Sequence, residues 1–415
     1  MTPLLAAAFL VVSVDGLDQR YLGDPNLKIP NLRRVIKEGE SSQGVIGIVP
    51  TVTWPSHTTI LTGADAWDRG ILSNHQPAHE GTDAWDRGIL SNRQPTHEGA
   101  DAWDHGILSN RRPAHEGGDY YWSVSLLKRP TLLDAAAKAG LKTATITWPV
   151  TVDAPVAFNL PEFFKRRHGG SMDTASICSK VKPATLCQDI AARFPSFRQE
   201  WMDDRTRALA TRYLLQKADA VFVHLVDLDS EAHDNGPFST EAHAIVERTD
   251  ELIGEMLAAL PKGGRFVLVS DHGFETAVKS VNLKFAAERD KIGGIEIRGG
   301  FVIAAGPPAA AWLRQLSPEH AIGREIPADE IARFAPPLTG KFLFEPAPGV
   351  WFGPGNDVLI ATPHETGNHG HWPTRYRSVY AAWGPGIRPA RLPEMRLGEI
   401  ADRLAGLLSV KMVKR

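Results

Sequence analysis

Three apolar segments of the sequence are each followed by aspartate. Asp15 follows AFLVVSV, Asp227 and Asp229 follow ADAVFVHLV, and Asp271 follows RFVLVS. Such segments predict buried strands, and in open α/β sheets ligands bind beyond the carboxyl ends of the strands. A buried carboxylate is costly unless it is paired, protonated or bound to a metal ion. One such aspartate would more simply cap a turn or a helix, but three together predict a metal site.

Histidines accompany these aspartates at spacings that suit metal coordination. His233 lies four residues after Asp229, His272 follows Asp271 directly, and His369 lies in the glycine-rich sequence GNHG. Carboxylate and imidazole together are ligands typical of Zn²⁺, and they also suit Mn²⁺ or iron. Six ligands are enough for two adjacent ions, which is the usual arrangement for displacement at phosphorus.

A candidate nucleophile lies in the sequence PTVTWPSH. Thr53 precedes Trp54 and Pro55, and the sequence HTTILTG that follows has helical character. Proline suits the first turn of a helix, so we expect Thr53 at a helix N-terminus, where the dipole and the N–H groups favour phosphate. Metal coordination would make this hydroxyl a competent nucleophile. Taken alone, the residue would more simply be a helix cap.

The order and spacing of these motifs resemble the alkaline phosphatase superfamily, and within it the nucleotide pyrophosphatase/phosphodiesterase (type I phosphodiesterase) family. The matching motifs are VDG at Asp15, PTVTWPSH around Thr53, GILSN after it, DxxxH with NGP at 229–237, SDHG at 270–273 and GNHG at 367–370. The resemblance implies a two-metal hydrolase that cleaves diester or pyrophosphate bonds of nucleotide-like substrates through a phosphothreonine intermediate on Thr53.

The resemblance also implies how the metal ligands divide between two Zn²⁺ ions, with Mn²⁺ as another divalent ion of this kind. The first ion would be held by Asp229, His233 and His369. The second would be held by Asp15, Asp271 and His272, and Thr53 would lie between the two ions as a shared ligand.

An asparagine amide holds a phosphoryl oxygen in this family, and here that position falls in an internal repeat. Residues 64–117 are three copies of an 18-residue unit that contains GILSN. Asn74, 21 residues beyond Thr53, is the predicted residue, and Asn110 in the third copy is the alternative. Units this short and this rich in Gly, Pro and Asp cannot build a solenoid, so we expect a surface loop.

Two further residues are implied to contact substrate. Family members stack a nucleobase on the aromatic residue after the nucleophile, which is Trp54 here. The second stacking position, five residues before Asp229, is occupied by His224. Many relatives that prefer nucleotides carry tyrosine there, so this histidine weakens the preference for nucleotides. Burial in the core is the alternative role for Trp54.

The remaining sequence predicts the elements that position these residues. Apolar strands alternate with helices, which indicates a doubly wound, mostly parallel α/β sheet with helices on both faces. The resemblance implies that this sheet is like that of alkaline phosphatase. The expected strands are Ala8–Val14, Thr143–Trp148, Ala218–Val226 and Arg265–Val269, and the expected helices are Asn31–Glu38, Thr131–Ala139, Phe197–Lys217 and Thr240–Leu260. Residues 277–358 are of mixed character and predict a small α+β cap inserted into a core of 1–276 and 359–415.

Composition limits the function further. The chain has 415 residues and a formal charge of −2, which argues against a nucleic-acid surface. A small-molecule phosphate ester is the partner that the resemblance implies. No run of 18 apolar residues predicts a membrane span, and the oligomeric state is open. Two cysteines exclude a disulfide scaffold, although Cys178 and Cys187 can either pair in an oxidising compartment or stay free.

The expected compartment depends on the resemblance. Residues 4–14 are apolar but lack a basic region and lead directly into Asp15, so we expect a strand there and no evident signal peptide. The family resemblance favours a periplasmic or secreted protein.

Several alternatives stay open at this point. A sulfatase is disfavoured because no C/S-x-P-x-R signature surrounds the nucleophile. A phosphomonoesterase of the same superfamily remains an alternative, as does a phosphonoacetate hydrolase, for which Lys128 is the lysine to check. Outside the enzymes, a catalytically decayed binding protein is a further alternative, although the intact ligand set argues against it.

Overall fold

The computed structural model describes residues 8–64, 120–166, 172–298, 300–316, 322–353 and 358–412. Nearly all of the repeat, with Asn74 and Asn110, lies outside the described residues. The expected surface loop and the choice between the two asparagines therefore stay predictions.

The strands are short segments spread along the whole chain. In chain order they are β1 (Phe9–Val14), β2 (Glu40–Ser42), β3 (Val45–Ile46), β4 (Thr143–Ile146), β5 (Phe158–Leu160), β6 (Lys165–Arg166), β7 (Met172–Asp173), β8 (Ala220–Leu225), β9 (Arg265–Val269), β10 (Glu275–Thr276), β11 (Lys279–Val281), β12 (Ile295–Ile297), β13 (Val302–Ala304), β14 (Ile322–Glu325), β15 (Phe342–Pro346), β16 (Val350–Trp351), β17 (Ile360–Ala361), β18 (Gly367–Asn368), β19 (Tyr380–Trp383), β20 (Ala390–Leu392) and β21 (Met395–Arg396).

The α-helices lie between these strands. They are α1 (Gln19–Gly23), α2 (Pro30–Glu38), α3 (Thr53–Thr62), α4 (Leu132–Lys138), α5 (Leu186–Arg193), α6 (Asp204–Leu214), α7 (Asp227–Asn235), α8 (Thr240–Ala259), α9 (Leu283–Arg289), α10 (Pro307–Gln315), α11 (Ala328–Phe334) and α12 (Glu399–Leu408). Among the described helices, none combines the length and the apolar character needed to cross a membrane.

Eight strands form one central sheet in the order β20-β2-β19-β9-β1-β8-β4-β5. Its strand pairs are parallel except for the two pairs made by β19, which runs opposite to both of its neighbours. The predicted mostly parallel α/β sheet is thereby confirmed.

Side chains of the central strand β1 alternate between two hydrophobic cores. Leu10 and Val12 pack with α2, α6 and α8 on one face, while Phe9 and Val11 pack with α3, α4 and α12 on the other. Burial on both faces explains why the strand is apolar throughout, since parallel strands covered by helices have no polar side.

The region predicted as a cap holds a second sheet. Its four strands lie in the order β12-β13-β15-β14, and buried side chains of α9 and α10 pack against it. The short strand β17 pairs with β11, so the chain rejoins the central sheet only at β19. The division into core and cap at residues 277 and 358 stays a prediction.

Most predicted elements differ from the observed ones by one or two residues, but α6 differs more. The prediction placed its start at Phe197, whereas α6 begins at Asp204. Asp203 explains the difference, because its carboxylate accepts the N–H of Thr206 and caps the helix there.

A disulfide bond joins Cys178 to Cys187, which decides between the two states left open by the sequence. Cys178 lies in a short 3-10 helix, and Cys187 is a buried residue of α5. The bond therefore ties α5 to the segment that precedes it.

Replacing both cysteines with serine is expected to lower the free energy of unfolding by about 2–3 kcal/mol, because the open loop gains conformational entropy in the unfolded chain. Urea unfolding of the double variant and of the oxidised wild type, at equal metal content, measures this difference. Equal unfolding midpoints would show that the bond adds nothing to stability.

Candidate active site

The alternation along β1 brings the end of the strand to the nucleophile helix. Residues 9 and 11 face the core that contains α3, so Ser13 and Asp15 point toward the same side. The hydroxyl of Ser13 forms a 2.9 Å hydrogen bond with the Nε2 atom of His57 in α3. The carboxylate at the end of β1 therefore lies beside the N-terminal turn of α3.

A glycine turn follows Asp15 and links it to Asp271. Gly16 has a φ of +69°, and a Cβ atom there would approach the ring of Phe274 to 2.5 Å. Its N–H donates to Oδ1 of Asp271 at 3.2 Å. Only glycine meets both demands without strain.

The carboxylate of Asp229 lies centrally among three histidines. Its Oδ1 atom is 3.7 Å from Nε2 of His233, 3.7 Å from Nε2 of His369 and 4.0 Å from Nε2 of His272. Asp229 and His233 share one face of α7 because they are four residues apart, as the sequence predicted.

The second group of ligands surrounds His272. Its Nε2 atom is 3.2 Å from Oδ1 of Asp15 and 3.2 Å from Oδ2 of Asp271. The structure thus brings all six predicted ligands together. Candidate ligand atoms form two clusters, Asp229–His233–His369 and Asp15–Asp229–His272, so Asp229 belongs to both, whereas the resemblance implies that it holds one ion only.

Each of the three histidines is anchored through Nδ1. Nδ1 of His233 lies 3.1 Å from the carbonyl oxygen of Gly367, and Nδ1 of His272 lies 3.2 Å from that of Gly273. Nδ1 of His369 lies 3.1 Å from the carbonyl oxygen of Thr51. Because a carbonyl oxygen only accepts, Nδ1 carries the proton and Nε2 presents its lone pair to the site. This is the orientation typical of metal-binding histidines.

In Asp15 and Asp271, one carboxylate oxygen accepts a hydrogen bond and the other accepts none. Oδ2 of Asp15 is bonded to His224, and Oδ1 of Asp271 accepts the N–H of Gly16. Oδ1 of Asp15, Oδ2 of Asp271 and Oδ1 of Asp229 are buried and accept no hydrogen bond. Buried oxygens without a partner are costly, and cations at this place would satisfy them. The residues therefore fit a divalent metal centre.

Burial and mutual repulsion shift the titration of the carboxyl groups. Burial, with the nearby charge of Asp15, raises the pKa of Asp229 to about 6 and that of Asp271 well above its usual range. Burial alone would also raise the pKa of Asp15, but His224 and His272 outweigh it and hold that pKa well below its usual value. Without cations, protons are needed to keep these groups together.

Thr53 is the first residue of α3 and is 5% exposed. Its Oγ1 atom lies 3.5 Å from Nε2 of His272. The first N–H groups of a helix are not used within the helix, and they favour an anionic group at this end. The nucleophile predicted from the sequence is therefore next to the ligands and at an anion-binding helix terminus.

Several supporting residues were not predicted. His57 is fully buried and bonds the carbonyl oxygen of Thr53 through Nδ1 at 2.8 Å. Glu365 contacts Nδ1 of His233 at 3.1 Å and accepts the amide of Asn368 at 2.9 Å. Glu365 lies four residues before the predicted ligand His369. This proximity was the only feature of the sequence that could have indicated Glu365.

The placement of His224 does not fit the stacking role expected for it. The ring is fully buried, lies 2.9 Å from Oδ2 of Asp15, and leaves no face for a nucleobase. Residue 224 is on the α3 side of β8 together with residues 220 and 222. Because the side chain points into the core on that side, it is not available to stack on a nucleobase.

Trp54 lies beside the nucleophile in an aromatic cluster. Its ring centroid is 5.3 Å from that of Tyr120 and 6.2 Å from that of Trp122, and the side chain is 6% exposed. Lys128 is exposed. Contact of Trp54 with a nucleobase stays a prediction, since packing accounts for most of its surface.

Comparison with known proteins bears on this site. The sequence pattern of the family described as type I phosphodiesterase / nucleotide pyrophosphatase matches residues 9–321, most of the chain. The chain belongs to this family. The family is one of phosphodiester hydrolases, and the matched range contains Thr53 and every predicted metal ligand except His369.

Relatives of the family agree with the fold. Human ectonucleotide pyrophosphatase/phosphodiesterase family member 1 is 22% identical over 271 residues, which is 64% of this chain but only 23% of that protein. Human ectonucleotide pyrophosphatase / phosphodiesterase 5 superimposes with a TM-score of 0.61 at 15% identity, covering 98% of this chain and 96% of the other. An inactive threonine-to-alanine variant of murine ectonucleotide pyrophosphatase / phosphodiesterase 5, in complex with AMP, superimposes with a TM-score of 0.60 at 15% identity. This match covers 99% of this chain and 96% of the other.

Proposed function

We propose that this chain hydrolyses phosphodiester or pyrophosphate bonds with two divalent cations, Zn²⁺ being the ion that suits the ligands best, and with Thr53 as the nucleophile. One observation carries the proposal. Three buried carboxylate oxygens without hydrogen bonds and the Nε2 atoms of three anchored histidines converge beside the hydroxyl of Thr53. Family membership supports the same reaction class.

The reaction follows from the position of Thr53. Its Oγ1 atom gives its proton to solvent water, attacks phosphorus and forms a phosphothreonine, while the bond to the leaving alcohol or phosphate breaks and that group takes up a proton from solvent. Water then cleaves the phosphothreonine and restores the hydroxyl. The six candidate ligands would hold the cations, which would supply positive charge to stabilise the reacting oxygens. The N-terminus of α3 favours the negative charge on phosphorus.

A nucleotide is the substrate class that we propose. The murine relative binds AMP, and Trp54 with Tyr120 provides aromatic surface next to the nucleophile. Asn74, or Asn110 in its place, is proposed to hold a phosphoryl oxygen. The disulfide between Cys178 and Cys187 supports an exported protein, because such bonds persist in oxidising compartments.

Parallel assays with bis-p-nitrophenyl phosphate and p-nitrophenyl phosphate test the reaction class. The zinc-loaded protein is expected to prefer the diester by about tenfold or more, which corresponds to about 1.4 kcal/mol of transition-state free energy. Dialysis against a chelator is expected to abolish both rates, and added Zn²⁺ to restore them.

The opposite results have definite meanings. A monoester preference would place the protein with the phosphomonoesterases of the superfamily. Rates that survive complete metal removal would overturn the proposed metal centre. Among diesters, a p-nitrophenyl ester of a nucleotide should have the higher kcat/KM if a base is bound, and equal values would contradict the nucleotide proposal.

A further inference from the structure

A buried chain of hydrogen bonds crosses the central sheet at its carboxyl end. Nε2 of His224 is 2.9 Å from Oδ2 of Asp15. Nδ1 of the same ring is 3.2 Å from Oε2 of Glu162 and 3.1 Å from the carbonyl oxygen of Thr147. These residues come from β1, β8 and the segments after β4 and β5, which are four adjacent strands.

Each hydrogen-bond partner that the structure gives the ring nitrogens of His224 is an acceptor. A carboxylate lies at each end of the ring and a carbonyl oxygen lies beside one of them, so both ring nitrogens donate. The ring is fully buried and Glu162 is 9% exposed. The contacts therefore fix both the position and the rotation of the ring.

This arrangement decides which oxygen of Asp15 faces the metal centre. His224 occupies Oδ2, whereas Oδ1 accepts no hydrogen bond and lies 3.2 Å from Nε2 of His272. A carboxylate held through one oxygen presents the other without losing rotational freedom when the ion binds. Partners of this kind contribute about 10–100-fold to metal affinity.

We propose that His224 is a positioning residue for Asp15 and that Glu162 in turn positions His224. The proposal rests on the metal centre proposed above and names residues of this chain that tune it. The loop of Glu162 also carries Phe163 and Phe164, whose rings pack on Trp122 at 5.5 and 4.7 Å. The support of Asp15 is thereby tied to the aromatic cluster that contains Trp54.

Two substitutions of His224 test the hydrogen bonds of its two ring nitrogens separately. In His224→Gln the amide nitrogen can reach the place of Nε2 and keep the bond to Asp15. In His224→Asn it can reach only the place of Nδ1, which keeps the bonds to Glu162 and Thr147. We expect His224→Gln to retain most of the wild-type affinity for Zn²⁺, and His224→Asn to bind one of two ions about 10–100-fold more weakly.

Competition against a chelating dye measures both affinities, and urea unfolding of the metal-free proteins measures stability separately. The matched control is Thr145→Val, which removes a buried 2.7 Å hydrogen bond to Asn159 in the same sheet away from Asp15. Its metal affinities are expected to equal those of the wild type.

Equal affinities in His224→Gln and His224→Asn would overturn the positioning role. If the asparagine variant does not fold, Glu162→Leu tests the contact between Glu162 and His224, and unchanged zinc affinity there would overturn the positioning of His224 by Glu162. A wild type that binds two ions and needs Thr53 for hydrolysis, with an unaffected asparagine variant, would refute the positioning role alone. A wild type that binds no divalent ion would refute the metal centre as well.

Discussion

Replacing Thr53 with alanine is expected to lower the rate of diester hydrolysis by about 10³-fold or more, because no other hydroxyl is proposed to attack phosphorus. The variant should still bind two metal ions, since the five side chains of the two ligand clusters, and Asp271 beside His272, are unchanged. Steady-state rates with bis-p-nitrophenyl phosphate and metal analysis of the same sample check both statements.

Thr59 offers a matched control on the same helix. Its side chain is fully buried and its hydroxyl makes no hydrogen bond, so Thr59→Val removes a threonine hydroxyl from α3 at a similar depth. We expect this variant to keep the wild-type rate and Thr53→Ser to keep part of it. A Thr53→Ala variant within tenfold of the wild-type rate would rule out the phosphothreonine, tenfold being about 1.4 kcal/mol of barrier.

The second large effect is expected at Asp229. Because Oδ1 of Asp229 lies within 4.0 Å of Nε2 in His233, His369 and His272, Asp229→Ala removes an atom common to both clusters. We expect this variant to lose both ions on dialysis and to lose hydrolysis with them. His233→Ala removes a ligand of one cluster only and is expected to retain about one ion. Elemental analysis after dialysis gives the metal content.

Asp227 provides the control for that measurement. It stands two residues earlier in α7, and its Oδ2 accepts the N–H of Asp204 at 3.1 Å, so its carboxylate is occupied elsewhere. Asp227→Asn should bind two ions. Retention of both ions in Asp229→Ala would show that the shared position of this carboxylate has no role in metal binding.

The proximity of the candidate metal ligands could be predicted because it depends on local patterns. Asp15 and Asp271 follow apolar strands, and neighbouring parallel strands end at the same edge of a sheet. Asp229 and His233 need only one helical turn to meet. A strand register and a helix repeat are enough to bring such residues together, so their proximity could be predicted without a structure, while their role as metal ligands stays a prediction.

The supporting residues could not be predicted in this way. Glu162 meets His224 across 62 positions of sequence, and Glu365 meets His233 across 132. Such contacts depend on how loops return to the sheet, and no periodicity encodes that. The full burial of His224 could not be predicted either, because β8 is apolar and buried on both faces, and only the structure shows that His224 shares the α3 side with Ala220 and Phe222.

The buried carboxylates have a consequence for the amount of protein in a cell. Burial and the charge of Asp15 make the ionised forms of Asp229 and Asp271 oppose folding, so a chain with the proposed cations bound is expected to be the more stable species. Quality-control proteases remove chains in proportion to how often they unfold. The supply of metal is therefore expected to set the abundance of this protein in addition to its activity.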